Sequence, residues 1–186
     1  AGETLLVLGA AGGVGTTAVE LGKQMGAVVI AAASSDAKLE LVRKLGADHV
    51  VNYMTEDLRE RIKAITGGKG VDVVDDPVGG TLAEPALRSM AWGGRHLVIG
   101  FAGGDIPRVP LNLPLLKGCS IVGVFWGSFA ARERDVQRRN VMELWEMFEA
   151  GQLVPVVGET HPLADYAQAF ESLATRRAQG KVVLVP

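Results

Sequence analysis

Cysteine is almost absent from this chain of 186 residues. Cys119 stands alone, which excludes an internal disulfide and any multi-cysteine zinc site. A single thiol fits a reducing, cytoplasmic setting. Aromatic residues are scarce at 5%, so the core must be built mainly from aliphatic side chains. No apolar run approaches the ~18–20 residues that cross a bilayer, and no membrane partner is expected. Charge of one sign is lacking too. A formal net charge of −2 gives no broad field to draw in nucleic acid or an anionic surface.

Glycine, by contrast, is plentiful at 24 residues. It falls between short runs rich in Val, Ile and Leu. Strands are expected at Thr4–Gly9, Ala27–Ala33, His49–Tyr53, Val71–Asp75, Arg95–Gly100 and Ser120–Trp126. Helical patterns alternate with them at Gly12–Gly26, Asp36–Gly46, Thr55–Thr66, Gly80–Met90 and Ala130–Ala150, with an irregular Gly/Pro stretch before the sixth strand. Continuous rather than alternating apolar strands imply burial on both faces, as in a parallel sheet covered by helices. Repeated strand–helix alternation then predicts an α/β, doubly wound parallel sheet with a six-stranded core in a single domain over 1–152. Residues 153–186 exceed what that core requires. Leu153–Val157 and Lys181–Val185 read as strands and Leu163–Arg177 as an amphipathic helix, elements that extend the sheet or serve a second domain.

The first strand runs into Gly9-Ala10-Ala11-Gly12-Gly13-Val14-Gly15. Glycines at such a strand–helix junction permit a tight turn, a close approach of backbone to a pyrophosphate, and close helix–strand packing. The helix that follows offers free N–H groups and its positive dipole end to phosphate. The full G-x-G-x-x-G pattern is not met, because Ala10 stands at its first position. The place is the one a dinucleotide site requires, and the plainer reading is a tight turn with no ligand.

The end of the second strand is defined by what it lacks. Sites for NAD usually carry an acid there for the ribose 2′-hydroxyl; here the strand ends Ala31-Ala32-Ala33, followed by Ser34 and Ser35. Asp36 falls past the strand end, in the first helical turn. A strand end without an acid does not repel a 2′-phosphate, and Ser34 with the long-stemmed Lys38 makes a site for one. Lys38 as a solvated surface lysine is the alternative.

The run AAGGVGTTAVELGKQMGAVVIAAASSDAKLELVRKLGADHVVNY resembles the medium-chain dehydrogenase/reductase superfamily. Within it the likeness is to the NADPH-dependent quinone oxidoreductases related to zeta-crystallin. It continues through VDVVDDPVGG at 71–80, GGRHLVIGFAGG at 93–104, GCSIVGVFWG at 118–127 and RRAQGKVVLVP at 176–186. The resemblance implies a Rossmann fold that holds NADPH. At matched positions it implies that Ala11, Gly12, Gly13 and Val14, with Gly15 closing the turn, line the pyrophosphate, and that Ser34, Lys38 and Tyr53 hold the 2′-phosphate end. Ile99, Gly100, Phe101 and Ala102 would border the path to the nicotinamide. Val124, Phe125 and Trp126 would meet its carboxamide, and Arg176 would reach the cofactor from the C-terminal side. Asp75 departs from the pattern, which often has an aromatic residue before the Asp-Pro-Val-Gly-Gly turn.

The resemblance also implies a GroES-like catalytic domain before the first strand, to which 153–186 would return. The expected activity is therefore that of a parent enzyme passing hydride from NADPH to a quinone or activated enone, with no catalytic residue assigned in this chain. The alternatives are the coenzyme domain of a zinc alcohol dehydrogenase or enoyl reductase, or a non-enzymatic dinucleotide-binding module. Cys119, His49, His96 and His161 show no close metal-ligand spacing, and the histidines are read as surface or strand-end residues. Cys119–Trp126 is expected to be an apolar edge strand that must be covered or paired. The resemblance implies pairing across a two-fold axis in a homodimer.

Overall fold

The computed structural model describes residues 1–186. Six strands form one parallel sheet in the order β3-β2-β1-β4-β5-β6. They are β1 (Thr4–Leu8), β2 (Val28–Ala33), β3 (His49–Asn52), β4 (Val71–Asp76), β5 (Met90–Val98) and β6 (Ser120–Gly123). The helices between them are α1 (Gly15–Gln24), α2 (Asp36–Lys44), α3 (Leu58–Ile65), α4 (Ala83–Arg88) and α5 (Asn112–Lys117). This is the doubly wound arrangement that the alternation of elements predicts.

The strand sequences explain both layers. Successive side chains of β1 point to opposite faces, so Leu6 and Leu8 enter a core with Ile62 of α3 and Leu87 of α4. Val7 enters a second core with Val19 of α1 and Val42 of α2. All seven of these are essentially without solvent contact, and each such burial contributes roughly 1.5–3 kcal/mol. Because the chain winds outward in two directions from β1 and β4, the loops after these neighbouring strands diverge and leave a crevice at their carboxyl ends.

Several boundaries differ from the sequence expectation. α1 begins at Gly15, since Gly12–Val14 form the turn itself. β5 starts at Met90, because a register shift opposite Val71–Val73 absorbs Gly93 and Gly94, which break the apolar run. The stretch read as irregular contains α5, with Pro114 in its first turn and the left-handed Gly118 as its stop. β6 ends at Gly123, not Trp126. Val124 makes one more bond to β5 through the Val98 carbonyl, and Phe125 then turns away to start α6 (Trp126–Arg132). The helix expected over Ala130–Ala150 is two helices, α6 and α7 (Arg134–Glu149), because Glu133 leaves helical dihedrals at φ −108°, ψ 53°.

The tail makes a second sheet. β7 (Val157–Pro162) pairs in parallel with β8 (Lys181–Val185), with α8 (Tyr166–Ala174) between them. β7 lies later than the expected 153–157 because Pro155 has no N–H to give a ladder. α8 ends at Ala174, capped by Thr175 and short of the expected Arg177, and Arg176 takes φ 57°. The small sheet is not separate from the large one. Gly180 bridges Gly12 in parallel, and its amide donates to the Ala11 carbonyl at 2.8 Å.

Candidate cofactor site

At the β1/β4 crevice lies a cavity of about 360 Å³, within the size range of small-molecule sites. Its floor is the glycine turn. Gly15 is the residue that lets α1 pack onto the end of β1: a Cβ there would stand 2.5 Å from the Gly9 carbonyl oxygen and 2.6 Å from Ala10 Cα, both backbone atoms that cannot yield. With the helix held this close, its first turn faces the cavity. The Gly12 amide bonds back to Gly9 at 2.9 Å and the Gly13 amide faces the Gly180 carbonyl in the bridge, whereas the amides of Val14 and Gly15 donate to no acceptor in the chain. Two successive unpaired N–H groups at a helix start form a ready cradle for an anion.

The second wall is made by the end of β2 and the start of α2. Ser34, Lys38 and Tyr53 gather there as the sequence pattern implies. Lys38 Nζ lies 3.4 Å from Ser34 Oγ and donates to the Arg176 carbonyl at 2.6 Å. Burial, and then the charge of Arg176, hold the Lys38 ammonium below its ordinary pKa. Arg176 Nη2 reaches across to the Gly103 carbonyl at 3.4 Å. Neither cation has a carboxylate partner. No acid lines the cavity, and Asp36 at the start of α2 accepts from Asn52 Nδ2 at 2.8 Å. This end of the cavity is short of negative charge, which is the condition for holding a phosphate.

The third wall comes from the loops after β4 and β5. Pro77 and Val78 line it, with Ala102 and Gly103 opposite. The two loops are laced together by amide-to-carbonyl bonds from Ile99 and Gly100 to Asp76, from Ala102 to Pro77 and from Gly103 to Val78. Asp76 anchors the whole turn. Its Oδ1 accepts from the amides of Val78 and Gly79, and its Oδ2 lies 3.0 Å from His96 Nε2, with both side chains buried. His96 is therefore a core residue within β5, not the surface or strand-end residue expected. Asp76 faces it because parallel register sets Val74 beside His96. Asp75 points to the other side of the sheet, where its Oδ2 is buried with no partner. Burial, and then the charge of Asp76, push its carboxyl up to about 6.

Of the residues singled out from sequence, Ala11, Gly12, Gly13, Val14, Gly15, Ser34, Lys38, Tyr53, Ala102 and Arg176 line one cavity. Ile99, Gly100 and Phe101 lie beside it on the laced loop. Val124, Phe125 and Trp126 lie beyond β6, with Phe125 and Trp126 largely exposed. Met54, Leu173 and Ala178 line the cavity without a sequence signal of their own. No three His, Cys, Asp or Glu side chains are grouped so as to hold a metal, and no helix is long and apolar enough to cross a membrane.

The family model described as zinc-binding dehydrogenase matches residues 13–150. The quinone oxidoreductase-like protein 2 of Bos taurus is 40% identical over 184 residues, covering 98% of this chain and 53% of that protein. Among solved structures, the Escherichia coli quinone oxidoreductase complexed with NADPH superposes with a TM-score of 0.89 at 33% identity, covering 99% of this chain and 57% of that one. An NAD-dependent alcohol dehydrogenase superposes with a TM-score of 0.86 at 34% identity, covering 100% and 52%. The chain spans about half the length of the curated relatives it matches.

Proposed function

We propose that this chain, which belongs to the zinc-binding dehydrogenase family within the medium-chain dehydrogenase/reductase superfamily, holds NADPH for a reductase of quinones or activated enones. The carrying observation is the Ser34–Lys38–Tyr53–Arg176 end of the cavity, which has two cations and no free acid. The unpaired amides of Val14 and Gly15 support a pyrophosphate in the same cavity. NADPH, when bound, supplies a hydride. The chain's own residues bind, orient and shelter that cofactor, and none of them is assigned to the chemical step. We place the donors that stabilise the substrate's developing negative charge in the part of such an enzyme that corresponds to the other half of the longer relatives.

An NAD-dependent alcohol dehydrogenase shares the fold, so it is the second reading, and the 2′-phosphate end decides between the two. Titration of NADPH and NADH by quenching of Trp fluorescence should give NADPH at least about tenfold the affinity of NADH, the worth of one charge-assisted contact. Equal affinities would remove the 2′-phosphate assignment and favour the second reading.

We further place a homodimer contact along β6. This edge strand carries exposed Ile121 and Val122, with Trp92 of β5 also exposed nearby, close against Gly118. An unpaired apolar edge recruits another strand, and an isologous pairing of β6 with its copy closes the sheet. Sedimentation at micromolar concentration should return the dimer mass, and a monomer would refute the contact.

A further inference from the structure

The glycine fingerprint accounts for Gly12 and Gly15 but not for Gly13, which falls between its fixed positions. The structure supplies a reason. A Cβ on Gly13 would stand 3.2 Å from Lys181 Cδ and 3.3 Å from Lys181 Nζ, so the missing side chain makes room for a lysine arriving from β8. Lys181 Nζ donates to the Gly13 carbonyl at 2.6 Å. That carbonyl has left the helical pattern. The carbonyls of Gly12 and Val14 on either side accept from the amides of Thr16 and Ala18, while the Gly13 carbonyl takes the lysine instead. Lys181 has no carboxylate partner, and its backbone is fixed beside the turn by the Gly180 amide bond to the Ala11 carbonyl.

We propose that Lys181 is a positioning residue for the dinucleotide's pyrophosphate, acting through the peptide unit that joins Gly13 to Val14. The peptide is trans and planar, so its carbonyl and its N–H point in opposite directions. Holding the Gly13 oxygen outward on the ammonium aims the Val14 N–H the other way. That N–H is one of the two unpaired donors, and Val14 lines the cavity. The positive charge on the carbonyl side also polarises the peptide and strengthens the N–H as a donor to an anion. A residue of the tail, 168 positions away along the chain, thus sets the aim of the phosphate cradle.

The inference rests on the NADPH reading of the site, and its test separates the two. Wild type, Lys181→Met and Lys181→Arg are titrated calorimetrically with NADPH and with adenosine 2′-monophosphate, which keeps the 2′-phosphate end but has no pyrophosphate, and their Tm values are measured. Lys181→Met should weaken NADPH about tenfold, as loss of one charged contact does. It should leave adenosine 2′-monophosphate and Tm unchanged, and Lys181→Arg should bring NADPH back to within about twofold of wild type, because a guanidinium can also donate to the carbonyl. Unchanged NADPH affinity in Lys181→Met overturns the inference. So does an equal loss for both ligands, or a failure of arginine to restore binding. A wild-type chain that does not bind NADPH overturns the reading of the site itself.

Discussion

Replacing Lys38 by glutamate is expected to weaken NADPH about a hundredfold while moving NADH by no more than about threefold. The substitution removes a cation facing the 2′-phosphate and puts a like charge in its place. At the ~4 Å separation of a contact pair, an effective dielectric near 20 gives about 4 kcal/mol per unit-charge interaction. The reversal counts two such interactions; Lys38 is only half-buried, so solvent screening leaves about a third of their sum, and about 2.8 kcal/mol corresponds to a hundredfold. Asp36 cannot offset the change, because it is committed to Asn52. The nearby Arg176 gives the loss a floor, since it keeps one cation at this end of the cavity. NADH has no 2′-phosphate and feels only the lost bond to the Arg176 carbonyl. Fluorescence titration of both cofactors against wild type and variant measures the ratio. A loss equal for the two would mean that Lys38 holds the tail rather than the phosphate.

The same residue shows which parts of the site could be read in advance. Ser34 and Lys38 lie four positions apart at a strand–helix junction, so local spacing alone puts them together. Tyr53 joins them because β3 pairs beside β2, which a doubly wound pattern implies. The contacts that complete the pocket have no such local signal. Lys38 meets the Arg176 carbonyl across 138 positions and Lys181 meets Gly13 across 168, and both depend on how the small β7–β8 sheet docks onto the glycine turn. His96 escaped notice for a related reason. A histidine in an apolar strand reads as a strand end unless its buried partner is known, and Asp76 lies on a different strand. The helix α5 did carry a signal, Pro114 followed by Gly118, but the surrounding prolines and glycines masked it. The ends of β6 and α6 were beyond periodicity altogether. An edge strand has one neighbour to define it, and the apolar run through Phe125 and Trp126 continues after the ladder stops.

Asp75→Asn is expected to stabilise the chain at pH 8 by on the order of 2 kcal/mol and to leave stability at pH 4 nearly unchanged. Asp75 is buried in β4 with one carboxylate oxygen unpartnered and a second acid, Asp76, adjacent. Its carboxyl is pushed from the ordinary 3.8 up to about 6. A raised carboxyl pKa means that the folded chain binds more protons than the unfolded chain between those two values. Stability therefore falls as pH rises from about 4 to about 6, and then levels off. Two units correspond to at most about 3 kcal/mol. Asparagine is neutral throughout and of the same size, so it matches the protonated acid at low pH and avoids the charged one at high pH. For a chain of this length the gain should raise Tm at pH 8 by roughly 4–8 °C. Other titrating groups add their own slopes to both proteins, so the quantity to read is the difference between variant and wild type in urea or thermal unfolding across pH 4 to 8. A difference that stays constant over that range would show that Asp75 remains ionised without penalty, through solvent or a partner the buried geometry does not provide. A difference that opens between pH 4 and 6 would show that this chain keeps an unpaired acid in its sheet at a measurable loss of stability. The acid sits at the position before Asp76, the residue that anchors the cavity's third wall.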